Sequence, residues 1–353
     1  MVIGQYGKCH SMGVRMKKVM KRFIALLCVF VLAMSFTACK SSTKDNTSKT
    51  EDKKEDLSSV DAKKVLQDAY KKMADQKSSK ANMTLKMDMS VKEKADAEAE
   101  DLKIDANIAV ASSQEPLAAS ITGDASGDIS GTAFNGKAEL YFVTEGDKPM
   151  VYVGFDIGTG MTWMYLDMKD MVSMKDLKSA FTSDGSDSSL DMFSSLKVEA
   201  VEKVNNKDCY KIVGNFDKAA LDKVLDTKQN GTTMRESMEK EYGKDVFNQM
   251  MKMFDDFNLP ITFYVAKDGS TFEKCSCEMS ETIKALVAGV SKAVGESAGD
   301  LKEMLTVNAA SFDITYANGE TAEIKVPDEA KTNAIDGSTL LDSVLGSASS
   351  LQK

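Results

Sequence analysis

Between Ala81 and Val91 the chain alternates without a fault. Ala81, Met83, Leu85, Met87, Met89 and Val91 are apolar, and every residue between them is polar. Successive side chains of a strand point to opposite faces, so this beat specifies a strand with one core face and one wet face. It returns at Leu102, Ile104, Ala106, Ile108 and Val110, at Leu117, Ala119 and Ile121, and at Ala138, Leu140 and Phe142. It continues through 150–155 and 161–168, with turn signals such as Gly158-Thr159-Gly160 between the runs. Consecutive half-wet strands without helices between them make an antiparallel meander. A doubly wound parallel sheet needs βα alternation and continuously apolar strands, and neither is present.

Helical spacing appears only around this meander. Ser58-Ser59 can cap a helix whose apolar stripe is Ala62, Val65, Leu66, Ala69, Tyr70 and Met73. Residues 217–225 and 232–257 read as two more helices, the second with a stripe of Met234, Met238, Tyr242, Val246, Met250 and Phe254. Such a stripe is more often core filler than a binding surface, although methionine adapts to varied apolar partners and can also line a lipid cavity. Strands resume at 197–204 and 209–214. A hairpin turns at Asp268-Gly269, bringing Ile261, Phe263 and Val265 against 271–279, and a helix follows over 281–298. The segments 306–316 and 320–326 read as a last hairpin, stopped by Pro327.

The amino terminus sets where the chain works. Six basic residues and no acid precede Cys39, all of them ahead of a run of twelve apolar residues from Phe23 to Met34. A spanning helix needs roughly 20 residues, so this run suits a signal peptide over 1–38. Phe36-Thr37-Ala38-Cys39 ends it and resembles the lipobox of bacterial lipoproteins, with cleavage between Ala38 and Cys39 and lipidation of Cys39; Phe36 departs from the usual aliphatic residue. Met16 or Met20 makes a more natural start than Met1. Residues 39–57 then form a polar tether, with five lysines and five acids over 40–56. Its composition cannot bury a core, and as a coil of about 18 residues it reaches roughly 25 Å. A Ser-rich tail occupies 338–353.

Composition removes several function classes. Without the leader, 39 Lys and Arg face 54 Asp and Glu, a balance of −15 that argues against nucleic acid as a partner. His10 is the single histidine and lies in the leader, so the remaining chain has no Ser-His or Cys-His dyad and no imidazole ligand. No enzyme activity and no cofactor or metal are expected. Asp184, Asp187 and Asp191 do not have the spacing of an EF-hand loop. Cys209, Cys275 and Cys277 are too few for a closed zinc site, and they leave either buried thiols or one disulfide, from Cys209 to Cys275 or Cys277.

The order of these features resembles the LolA/LppX-like superfamily, in its Gram-positive lipoprotein branch of unknown function. The resemblance rests on the pattern of 61–91, on Asn206-Lys207-Asp208-Cys209-Tyr210-Lys211-Ile212-Val213 and on the closing Ile324-Lys325-Val326-Pro327-Asp328-Glu329-Ala330. It implies an α+β fold over 58–337 as a single domain: a strongly curved antiparallel sheet of about 10–12 strands, a half-open barrel with helices on its concave face. It implies a cavity between sheet and helices that takes a lipid-like ligand. Larger helical insertions at 169–191, 217–257 and 281–303 either fill that cavity or enlarge it. The candidate lining is Met83, Leu85, Met87, Met89, Leu140, Phe142, Trp163, Met238, Tyr242, Met250 and Phe263. Two readings stand: a carrier or sensor of a hydrophobic ligand, held by acyl chains on Cys39 at the outer face of the cytoplasmic membrane, or an envelope module that binds another protein or the wall.

Overall fold

The computed structural model describes residues 57–92, 98–129, 131–146, 148–169, 190–229, 231–294, 305–319 and 321–337. The leader, Cys39, most of the tether, Asp184, Asp187 and the tail lie outside them.

Leu57–Ser59 makes a 3₁₀ turn, and helix α1 (Ala62–Ala74) follows. Its cap is Asp61, not Ser58 or Ser59, because the turn takes up the serines; an Asp61 carboxylate oxygen accepts from the Lys64 amide at 3.0 Å. The meander then runs through β1 (Ser78–Lys92), β2 (Ala99–Gln114), β3 (Leu117–Ile129), β4 (Thr132–Glu145), β5 (Lys148–Asp156) and β6 (Thr162–Asp167). After residue 190 come β7 (Ser195–Val204) and β8 (Lys207–Asp217), joined by Asn205 and Asn206 at positive φ, where Asn is among the residues best tolerated.

Helix α2 (Lys218–Asp226), capped by Asp217, leads to a two-strand ladder of β9 (Lys228–Gln229) and β10 (Thr232–Thr233). The single helix expected over 232–257 is two: α3 (Met234–Tyr242) and α4 (Lys244–Lys252). Gly243, at φ 85° and ψ 144°, breaks it, a conformation no other L-residue adopts cheaply. The break takes Val246 off the stripe, leaving it 41% exposed, while Phe247 and Met250 are buried. The chain continues through β11 (Asn258–Ala266), β12 (Phe272–Glu278), α5 (Ser280–Val294) and β13 (Leu305–Tyr316). The expected strand over 320–326 does not form. Residues 321–327 pair with nothing and lead into α6 (Asp328–Asn333) and β14 (Ile335–Asp336).

Twelve strands make one open sheet in the order β14-β6-β5-β4-β3-β2-β1-β13-β12-β11-β8-β7. Every pairing is antiparallel except that of β14 with β6. β13 inserts between β1 and β12 and joins the meander to the carboxy-terminal strands. Helices α1 and α5 lie over the latter, α1 against β7, β11 and β12 and α5 against β13 and β11, whereas α6 packs against β6. Gly289 lets α5 lie on the turn after α4, since a Cβ there would come 2.0 Å from the Met253 carbonyl oxygen. This half holds the principal core. Tyr70 stacks on Phe272 at 4.6 Å, and Phe263 meets Phe193 edge-on at 5.7 Å. Each such ring contributes about 1.5–3 kcal/mol by burial. Among the described residues no helix is long and apolar enough to cross a membrane.

Candidate functional site

The odd-numbered residues of β1 share a face with their register partners. Met83, Leu85, Met87 and Met89 stand opposite Ile108, Ala106, Ile104 and Leu102 on β2. These in turn stand opposite Gly123, Ala125, Gly127 and Ile129 on β3, and Ala138, Gly136 and Phe134 continue the rows on β4. The middle of the face is therefore lined by Ala106, Gly123, Ala125, Gly136 and Ala138. Larger side chains bound it, with Met87, Ile104 and Phe134 on one side and Val110, Ile121, Leu140 and Val153 on the other. By side-chain size, register thus lays a band of small apolar residues between rows of larger ones, an apolar trough across β2–β5. Leu140 is 36% exposed, Phe155 40% and Ile129 51%.

Over the carboxy-terminal half the same face is filled. Tyr70, Leu259, Ile261, Phe263, Cys275, Cys277, Phe312, Ile314 and Tyr316 enclose a cavity of only about 20 Å³, room for one water molecule. No acyl chain fits between this part of the sheet and its helices. The cavity is also apolar in effect. Burial pushes the Cys277 thiol up to about 12 and Cys275 further, and burial followed by the Cys275 charge raises Tyr70 and Tyr316.

The residues expected to line one cavity thus separate. Met83, Met250 and Phe263 belong to the packed core, and Leu85 and Met238 pack at its margin. Met87 and Met89 are half-buried along β1, and Leu140 and a buried Phe142 share the trough face. Tyr242 sits half-buried at the end of α3, outside the core. Trp163 is the clearest correction. It pairs with Gly154, one residue out of phase with Val153, so it lies on the opposite face. There it packs with Met150, Tyr152, Val326 and Ala330, and its ring occupies the space that a Gly154 Cβ would take, 2.6 Å away. Burial, then the hydroxyl's hydrogen bond to Glu145 at 3.1 Å, lifts Tyr152 to about 12.

Of the two cysteine arrangements the sequence leaves open, the structure has the buried thiols and no disulfide among the described residues. All three cysteines are buried free thiols. Cys209 is level with Ala266 on β11, whereas Cys275 and Cys277 are level with Phe263 and Ile261, one strand further on. Two strand spacings are about 9.5 Å, beyond the roughly 7 Å Cα separation that a disulfide spans. What the sequence reading passed over is the run of Gly and Ala inside β2–β4. Glycine within a strand pattern signals close backbone approach or room for another group. Among the described residues no three His, Cys, Asp or Glu side chains gather to hold a metal.

Fold and site together define an open-sheet α+β protein with a packed half and an apolar half that no described helix of the carboxy-terminal layer covers. No family model matches the chain, and no curated protein matches its sequence. Among solved structures it is similar to the Mycobacterium tuberculosis lipoprotein LppX, at 13% identity and a TM-score of 0.32, over 75% of this chain and 98% of that one. It is also similar to LprF from Mycobacterium bovis, at 12% identity and a TM-score of 0.31, over 76% and 96%. At this distance no residue or ligand transfers from either.

Proposed function

We propose that this is an exported protein, lipidated on Cys39 at the outer face of the cytoplasmic membrane, that binds a hydrophobic, lipid-like ligand in the open trough of the meander. The observation that carries the reading is the trough itself. A face lined by small residues and bounded by half-exposed Leu140 and Phe155 persists in a chain otherwise rich in charge. Single exposed apolar residues are common on protein surfaces, but a contiguous apolar patch marks an interaction surface. An acyl chain would gain about 0.8 kcal/mol per buried CH₂, so ten methylenes supply on the order of 8 kcal/mol before the costs of association. The site is not the enclosed cavity between sheet and helices, because core side chains occupy that space. The 58–337 segment acts as a single unit around the one sheet, and the anchor keeps the trough near a lipid source.

Native mass spectrometry of the chain purified from its own membrane tests this reading. The expected spectrum carries lipid-mass adducts that Leu140→Asp and Phe155→Asp remove. An adduct-free spectrum, with one dominant protein cross-linked through Leu140 or Phe155 in cells, would instead support the envelope-module reading.

A further inference from the structure

The other face of the same strands carries a second concavity, with different chemistry. A hollow of about 420 Å³ opens over β1–β4, within the ~300–1,000 Å³ span of small-molecule sites. Register builds it in two rows. Asn82, Ala109, Thr122 and Glu139 form one, Thr84, Asn107, Asp124 and Lys137 form the other, and Met83, Ile108 and Gly123 lie between them at its floor. The short side chains Thr84, Ala109 and Thr122 leave the space, and the longer ones stand around it.

A solvated sheet face requires only that its side chains be polar. This one adds a depression and a complete set of hydrogen-bonding types: two carboxamides, two hydroxyls, two carboxylates and an ammonium. The carboxylates are already oriented. Asn107 Nδ2 donates to Asp124 Oδ2 at 3.3 Å, and the Tyr141 hydroxyl donates to Glu139 Oε2 at 2.8 Å. An ionised carboxylate accepts at about four lone-pair sites, so each retains capacity for a ligand.

We propose that this hollow binds a saccharide. Each sugar hydroxyl donates and accepts, and adjacent hydroxyls meet a carboxylate or carboxamide in pairs, which this mixed set satisfies. Two carboxylates against one ammonium disfavour phosphate and other anions, and the polar lining disfavours an acyl chain. The saccharide could come from a wall glycan or from a glycolipid headgroup, which share this chemistry. The site lies on the reverse of the sheet from the apolar trough, so each stands or falls without the other.

Saturation-transfer NMR and calorimetry on the full chain test it, with an N-acetylglucosamine disaccharide as the wall-type probe and a glucose disaccharide as the headgroup type. Diglycine and inorganic phosphate serve as counter-probes. One saccharide is expected to bind, and the one that binds identifies the source. Asp124→Ala and Glu139→Ala should each weaken it by about tenfold, the scale of a charged hydrogen bond. Ala109→Phe, at an exposed position, should fill the hollow and abolish binding with the melting temperature kept, and Asp245→Ala on α4 should change nothing. Failure of both saccharides, undiminished binding in the three hollow variants, or binding of diglycine or phosphate in their place would overturn the proposal.

Discussion

Glu273 shows how much one side chain can depend on a local irregularity. Between Tyr264 and Val265 the β11–β12 register slips by one residue, a bulge that turns Phe272 into the core and Glu273 away from it. Although only 2% exposed, Glu273 accepts from Lys207 Nζ and Thr271 Oγ1 at 2.6 Å, and from Asn205 and Asn318 Nδ2 at 3.1 and 3.2 Å. Burial pushes its carboxyl up, but these donors outweigh burial and hold it below the ordinary glutamate range. A lowered folded-state value means that the stability it contributes is whole above the unfolded pKa, about 4.3, and is lost as pH falls through the folded value. Glu273→Gln should therefore cost about 1–3 kcal/mol at pH 7 in urea unfolding, and the gap from the parent should close on acidification below pH 4. An unchanged gap would assign the cost to packing alone. The thiols give a second residue-scale expectation. Cys275 and Cys277, buried and with raised pKa, should stay unalkylated by iodoacetamide at pH 8 until the chain unfolds, as read by peptide mass mapping. No periodicity discloses the Glu273 cluster. Phe272, Cys275 and Cys277 look out of phase in sequence, and only the bulge reconciles them.

At the scale of elements, the alternating run 81–91 lies within β1, where Met83 is buried and Leu85, Met87 and Met89 share its face. The same signal misled at 320–326. Ala322 and Val326 are buried, Ile324 is half-buried, and Thr321, Glu323 and Lys325 are exposed, so the period of two is physically present. Yet the segment lies against a sheet face, and α6 and β14 follow it to the β6 edge. Burial period reports which side is covered; it does not report a hydrogen-bonded ladder. This strap can be watched directly, since Trp163 is the single tryptophan and sits beneath Val326 and Ala330. Val326→Asp should shift its emission to the red while far-UV circular dichroism stays near that of the parent. Gly154→Val should destabilise by about 1–3 kcal/mol through overpacking against the indole, measured by thermal unfolding. An unshifted emission in the first variant would mean that the strap does not shield the ring.

Across the described residues one twelve-stranded sheet dominates, with two environments on a single face. Its carboxy-terminal strands are roofed by α1 and α5 and filled with aromatic side chains, and its meander keeps an apolar trough on the same face. The sheet was legible because alternation names faces. The filling was not, because a methionine or phenylalanine at the right period serves a core and a cavity alike, and only packing tells them apart. Phe263, 2% exposed, should cost about 3–5 kcal/mol on replacement by Ala, whereas Leu140→Asp and Phe155→Asp should leave stability nearly unchanged and remove ligand binding. The most direct measurement is photo-cross-linking of the full chain with a diazirine-bearing fatty acid, with the labelled peptides mapped by mass spectrometry. An open trough places the labels within 102–110, 121–140 and 151–166. Labels concentrated in 258–279 or 307–316, or none at all, would contradict it.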